Sequence, residues 1–299
     1  MSFSAQTKAE LCRLPVSRRC CAISECFGIL LFCNTFSDSL IRIVTENPDF
    51  AARLPRLFRK AFGIDFDLLP EEKEQRGKLV FQISDPEKLR LIRENFGYAP
   101  AGEPMLHVNY GVFEDEGCPP AFLRGAFLSG GSVTDPEKRY HLELSTTHLK
   151  VGHETHALML DMDLFPKETE RNGSSVLYYK QSDYIEDFLT IIGAPVCAMG
   201  IMEAKVEKGL INDVNRRVNC ETANLTKVVD AAQEQLSAIR RLEELGRLEE
   251  LPAKLQETAA LRRSNPEATL TELAEMLDPP VTKSAINHRM RKLIELSKE

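Results

Sequence analysis

The chain has 299 residues, 38 of them basic and 45 acidic, with 43% apolar residues and a net charge of −7. That length suggests two domains, each able to bury a core of its own. A uniformly acidic surface is repelled by phosphate, which excludes a chain that coats nucleic acid along its whole surface and leaves only a local, placed patch of positive charge for such contact.

The N-terminus, MSFSAQTKAELCRLP, is polar and lacks the apolar core of a signal peptide. Beyond it one unit occurs twice, over about 20–97 and 118–194, offset by 97 to 101 residues. Each copy opens with a small-residue-rich apolar helix, ISECFGILLFCN at 23–34 and AFLRGAFLSGG at 121–131. A β-like run follows, SLIRIVT at 39–45 and YHLELST at 140–146, and then a helix pattern over 48–62 and 149–162. After a polar loop comes a second strand, KLVFQIS at 78–84 and SVLYYKQ at 175–181, with a further strand expected near Asp65–Leu69 in the first copy. Each copy ends in an amphipathic helix, at 86–97 and 183–193, stopped by Gly97 or Gly193 as a left-handed cap requires. The order helix–strand–helix–strand–helix predicts a duplicated α+β domain. Gly28 and Gly125 lie inside the apolar face of the opening helices, where glycine costs about 1 kcal/mol relative to alanine. Close approach of the duplicate helix would compensate; two ordinary core helices are the alternative.

The duplicated domain is expected to end near residue 210, followed by a linker over 211–222 and an all-α domain over 223–299. A helix over 224–249 presents Leu225, Val229, Ala232, Leu236 and Ile239 as its apolar stripe. Pro252 suits the first turn of the next helix, and Asn265-Pro266 ends it. Two short helices then flank a sharp break. Thr269 and Glu272 form a capping box for the first, whose stripe is Leu270, Leu273, Ala274 and Leu277. Asp278-Pro279-Pro280 stops it, because proline has no amide to donate. Thr282 caps the second, which buries Ile286, Met290, Leu293 and Ile294. Residues 281–293 hold four basic side chains and no acidic one. This is a helix-turn-helix pattern, in which the second helix enters the major groove of double-stranded DNA.

The expected DNA-binding residues follow from that geometry. Lys283, Ser284 and Asn287 face base edges, and Asn287 suits bidentate pairing with adenine. His288, Arg291 and Lys292 lie nearer the backbone, and Thr271 and Thr282 flank the contact. Arg289 reaches either phosphate or a neighbouring helix. Arg216 and Arg217 are further phosphate candidates, salt bridges to the acidic domain being the alternative. Arg42, Lys78 and Lys180 form at most a local basic strip on the strands.

No cofactor, catalytic group or metal site is expected. Of the eight cysteines, Cys20 and Cys21 are adjacent and the rest scattered, with no CxxC pair, which argues against zinc and against a disulfide framework. His148, His153 and His156 do not carry the HExxH spacing of a zinc protease and read as a polar helix flank. The longest apolar stretch, near Cys26–Cys33, is too short to span a bilayer, so a cytoplasmic, nucleoid-associated protein with no membrane partner is expected.

The paired helices FGILLFCN and LRGAFLSGG resemble those of LAGLIDADG homing endonucleases, which pack together beneath a saddle of β-strands. With the C-terminal helices added, the chain resembles the WhiA family over essentially its full length. The segments FLRGAFLSGGSVTDPEKRYHLE (122–143), NRRVNCETANLTK (215–227) and the run from Leu251 to Leu293 carry the likeness. The resemblance implies a DNA-binding transcriptional regulator linked to cell division, chromosome segregation and, in sporulating relatives, sporulation. The four C-terminal helices are themselves similar to sigma-factor region 4, and a protein-interaction scaffold that docks RNA polymerase or a sigma factor is an alternative reading. Homing endonucleases hold divalent metal on a carboxylate at the foot of each paired helix. The matching positions here are Gly130 and Cys33, so no nuclease activity is expected; an atypical metal-dependent nuclease is the rival reading.

Overall fold

In the computed structural model, which describes residues 2–70, 77–99 and 106–298, the chain divides into two units, Met1–Lys208 and Gly209–Glu299. The polar loop expected before the second strand of the first copy lies partly outside the described residues, at 71–76.

The duplication is present in the first unit. Its first copy contains α2 (Arg19–Leu31), β1 (Thr35–Phe36), β2 (Ile41–Thr45), α3 (Pro48–Phe62), β3 (Leu79–Ile83) and α4 (Pro86–Asn95), preceded by α1 (Phe3–Arg13). The second contains α5 (Cys118–Gly130), β4 (Gly131–Val133), β5 (Leu142–Thr146), α6 (Leu149–Asp161), β6 (Lys167–Arg171), β7 (Ser174–Tyr179) and α7 (Ser182–Ile192). Both sheets are antiparallel, in the orders β1-β2-β3 and β4-β5-β7-β6. The strand expected near Asp65–Leu69 is reduced to a single bridge, Leu68 to Gln82. It occupies the sheet edge that β6 fills in the second copy.

Two elements escape the periodicity. The run Lys167–Arg171 reads as polar loop because it is an edge strand with mostly exposed side chains. A signal was nevertheless available. Asn172-Gly173 makes the two-residue turn to β7 with φ of 52° and 76°, the left-handed pair that a type I′ hairpin demands. Helix α1 is masked by its polarity, yet Leu11 is fully buried and the Lys8 ammonium donates to the Leu128 carbonyl of α5 at 3.0 Å.

The core of this unit is built around α2 and α5, which cross at their glycines. A Cβ on Gly28 would lie 2.0 Å from the Phe122 carbonyl oxygen, and one on Gly125 would lie 2.0 Å from that of Glu25. Partners Phe122 and Ala126 of Gly28 map onto Glu25 and Ile29 of Gly125 through the same offset of 97 that relates the glycines. Backbone contact across a pseudo-twofold axis therefore explains both residues. Just beneath it Glu25, 1% exposed, accepts from Arg53 of α3 at 2.6 and 2.8 Å and from Arg124 of α5 at 3.0 Å. Those guanidiniums also donate to the Leu14 carbonyl after α1 (2.7 Å) and to the Ile192 carbonyl closing α7 (3.0 Å), satisfying acceptors that helix ends leave open.

Helix α8 (Pro195–Glu244) is 50 residues long, and the expected linker over 211–222 is helical within it. Glu10 caps its start, accepting from the Val196 and Cys197 amides at 2.8 and 2.9 Å. The expected stripe needs correction: Leu225 and Val229 are 65% and 46% exposed, and burial starts only at Ala232. The cause is length, because the small core of the second unit meets only the last turns of α8, through Ile239 and Leu242. No helix among the described residues is long and apolar enough to cross a membrane.

Candidate nucleic-acid interface

In the second unit α9 (Ala253–Ser264), α10 (Leu270–Glu275) and α11 (Lys283–Leu296) close on the end of α8. Their shared core is Ile239, Leu242, Ala259, Leu273, Ala274, Leu277, Ile286, Met290 and Leu293. The capping box of α10 is formed: Thr269 Oγ1 accepts from the Glu272 amide at 3.3 Å, and Glu272 Oε2 accepts from the Thr269 amide at 2.7 Å. Those hydrogen bonds hold the Glu272 carboxyl below its ordinary range. After the break the Val281 amide returns to the Ala274 carbonyl at 3.0 Å, and Thr282 Oγ1 caps α11 on the Ala285 amide at 3.2 Å.

With Ile286, Met290 and Leu293 turned into the core, the opposite face of α11 is set. Lys283, Ser284, His288, Arg291 and Lys292 are exposed, Asn287 is half-buried beside them, and Thr271 and Thr282 are exposed at the adjoining helix starts. One expectation divides here. Arg289 donates to Thr258 Oγ1 of α9 at 3.4 Å, so its guanidinium braces a neighbouring helix and does not join the outward face. Lys292 pairs with Glu295 at 2.8 Å, an ion pair that a phosphate contact would have to displace. Arg216 and Arg217 are exposed on α8.

Beside α11 a cleft is lined by Lys227, Arg262, Thr269, Thr271 and Lys283, with Gln235 beneath. Arg262, 2% exposed, donates to the Ala268 carbonyl at 2.6 Å, holding the loop between α9 and α10. Burial pushes its guanidinium down from the usual arginine range. Its Nε and the Oε1 of Gln235 are buried without a protein partner.

The feet of α2 and α5 carry no ligand for a hard metal. A Cβ on Gly130 would meet the Ser145 carbonyl oxygen at 2.4 Å and the Phe32 ring at 3.0 Å, so the backbone leaves no room for an aspartate. The Cys33 thiol donates to the Leu30 and Thr35 carbonyls, each at 3.2 Å, and burial pushes it up to about 12. Among the described residues, neither Asp38 nor Asp135 falls in a group of three or more donors able to hold one ion, and the same is true of His148, His153 and His156. His153 and His156 instead share Glu168 of β6, at 2.8 and 3.7 Å. Gly130→Ala is expected to lower the stability of this unit by about 1–3 kcal/mol through overpacking, read by urea denaturation; an unchanged midpoint would contradict the close approach.

Two family models match: the WhiA LAGLIDADG-like domain over residues 120–210 and the WhiA C-terminal HTH domain over 214–297. A relative from Ruminiclostridium cellulolyticum, described as "probable cell division protein WhiA", is 40% identical, with 99% of this chain and 97% of the relative covered. The chain belongs to the WhiA family.

A Clostridium novyi WhiA, bearing the same description, is 37% identical over 100% of this chain and 98% of its own. The crystal structure of full-length WhiA from Thermatoga maritima matches with a TM-score of 0.60 and 28% identity, covering 100% and 98% of the two chains. That likeness bears out the fold class, a LAGLIDADG-like α+β domain joined to an all-α helix-turn-helix domain. Within this WhiA helix-turn-helix unit the residue that sequence reasoning passed over is Lys227. It reads as one more exposed position on a long helix, and only the packing of α8 beside α10 and α11 brings it to the cleft with Lys283.

Proposed function

We propose that this WhiA-family chain is a sequence-specific, double-stranded DNA-binding protein that regulates transcription in the service of cell division and chromosome segregation, and of sporulation where the host sporulates. The observation that carries the reading is the face of α11: exposed Lys283, Ser284, His288, Arg291 and Lys292 around Asn287, on a helix whose register is held by a cap and a buried stripe. In a chain of net charge −7 that acid-free stretch is a placed site for a groove. Thr271 and Lys227 extend it along the cleft toward a phosphate strand. Base discrimination falls to Asn287 with Lys283 and Ser284, positioning to Arg291, Lys292 and His288. The duplicated domain acts without nuclease chemistry, since neither helix foot offers a carboxylate. Such a protein works at the nucleoid, in the cytoplasm.

Gel-shift titrations on chromosomal fragments recovered by crosslinking, run at several salt concentrations, test this. Asn287→Ala is expected to relax sequence preference by about 1–3 kcal/mol at one base pair. Arg291→Ala is expected to weaken binding on every sequence and reduce the salt slope by about one contact. A combined Asn287, Arg291 and Lys292 alanine variant that binds like the parent would sink the assignment. Retained DNA binding by that variant, together with lost capture of RNA polymerase or a sigma factor, would make α11 a protein-docking helix instead. Incubation of supercoiled plasmid with magnesium or manganese is expected to leave it intact, and nicked or linear product would establish the nuclease reading.

A further inference from the structure

The tertiary fold assembles a cluster that cysteine spacing does not announce. Cys20 and Cys21 stand in the first turn of α2, Cys118 is the first residue of α5, and Asp115 lies in the loop just before it. One donor atom from each falls within 4.8 Å of all the others. Cys20 Sγ lies 3.5 Å from Asp115 Oδ2, while Cys21 Sγ and Cys118 Sγ lie 3.9 and 3.7 Å from Oδ1.

Those spacings, which run to both carboxylate oxygens of Asp115, are close to metal-like. Around a tetrahedral zinc ion, with Zn–S of about 2.3 Å and Zn–O of about 2.0 Å, neighbouring donors stand about 3.5–3.8 Å apart. The donor set has the right chemistry too, because thiolates select soft and borderline ions over magnesium or calcium. The carboxylate is already oriented from outside the cluster: Asp115 Oδ2 accepts from Arg18 at 2.7 Å and Oδ1 from the Gly117 amide at 2.8 Å. Such outer hydrogen bonds are what fix metal-ligating carboxylates. A Cβ on Gly117 would sit 3.3 Å from Cys21 Sγ and 3.2 Å from Asp115 Oδ1, so glycine keeps the cradle open. Cys21 and Cys118 are related by the same offset of 97 as Gly28 and Gly125, which places the cluster on the pseudo-twofold axis, at the opposite end of the helices from Cys33 and Gly130.

We propose that Cys20, Cys21, Cys118 and Asp115 bind one zinc ion, a closed structural site that clamps the N-termini of α2 and α5. Binding releases the three thiol protons, leaves the ion four-coordinate with no open position, and links the two copies of the duplication across their axis. The DNA-binding assignment rests on different residues, so either can fail alone.

The test is elemental analysis of the full chain, purified under reducing conditions from zinc-supplemented medium. About one zinc per chain is expected. Cys118→Ser and Cys21→Ser are expected to lose most of it, whereas Cys220→Ser, on exposed α8, retains it. Reconstitution with cobalt is expected to give thiolate-to-cobalt charge transfer and the visible bands of a tetrahedral ion. If a serine variant fails to fold, chelation of the parent decides: its melting temperature should fall and be restored by added zinc. Metal-free parent protein that neither takes up zinc nor gains stability from it would overturn the proposal. So would a disulfide from Cys118 to Cys20 or Cys21 in freshly isolated, metal-free protein, or serine variants with undiminished zinc.

Discussion

Glu25→Ala is expected to destabilise the N-terminal unit by about 3–5 kcal/mol, because it strands a buried positive charge. Arg53 is 2% exposed, and two of its donors, Nε and Nη2, end on Glu25. Removing the carboxylate leaves both donors buried without their charged partner. Arg124 loses its Nε partner at the same time and keeps its bond to the Ile192 carbonyl. The loss should spread through five helices, since Glu25 stands where α2, α3 and α5 meet and its arginines also hold the ends of α1 and α7. The paired change Glu25→Leu with Arg53→Met should cost less than Glu25→Ala alone, because a matched apolar pair leaves no unpaired charge. The chain contains no tryptophan, so urea unfolding is best followed by circular dichroism. A loss below about 1 kcal/mol for Glu25→Ala would show the ion pair to be dispensable.

The second large effect is steric. Gly28→Ala and Gly125→Ala each place a methyl group 2.0 Å from a backbone oxygen of the facing helix, and backbone in a packed core cannot step aside as a flexible side chain can. Each is expected to cost about 3 kcal/mol, the upper end of overpacking penalties. Together they should cost less than twice that, since helices already pushed apart by one methyl leave room for the other. The control is Gly209→Ala on α8, where an added Cβ meets nothing within 4 Å. There alanine is expected to stabilise by up to about 1 kcal/mol through helix propensity. Equal effects at all three positions would refute the close crossing of α2 and α5.

Much of this architecture is legible in the sequence. The helix-turn-helix was readable down to its caps, because Thr269, Glu272 and Thr282 act on amides within three residues. Gly97 and Gly193 marked helix ends for the same local reason, and both adopt positive φ, 72° and 101°. The stripe on α8 failed at Leu225 and Val229 because periodicity states which face is apolar, not how far a neighbouring core extends along it. Arg289 could have faced either way, and the packing of α9 decided it. The same holds for Lys227, whose place beside Lys283 depends on helices far apart in sequence.

By itself the sequence determined what is encoded over a few residues or by repetition: the duplicated α+β unit, the caps and break of the helix-turn-helix, and the acid-free run over 281–293. The tertiary structure alone decided what depends on segments some hundred residues apart. It set glycine against the backbone of the duplicate helix, buried Glu25 between Arg53 and Arg124, and gathered Cys20, Cys21, Asp115 and Cys118 within reach of one ion. The physical reason is range: capping and amphipathic periodicity act within a turn or two of chain, whereas close packing and donor geometry exist only once distant segments have met.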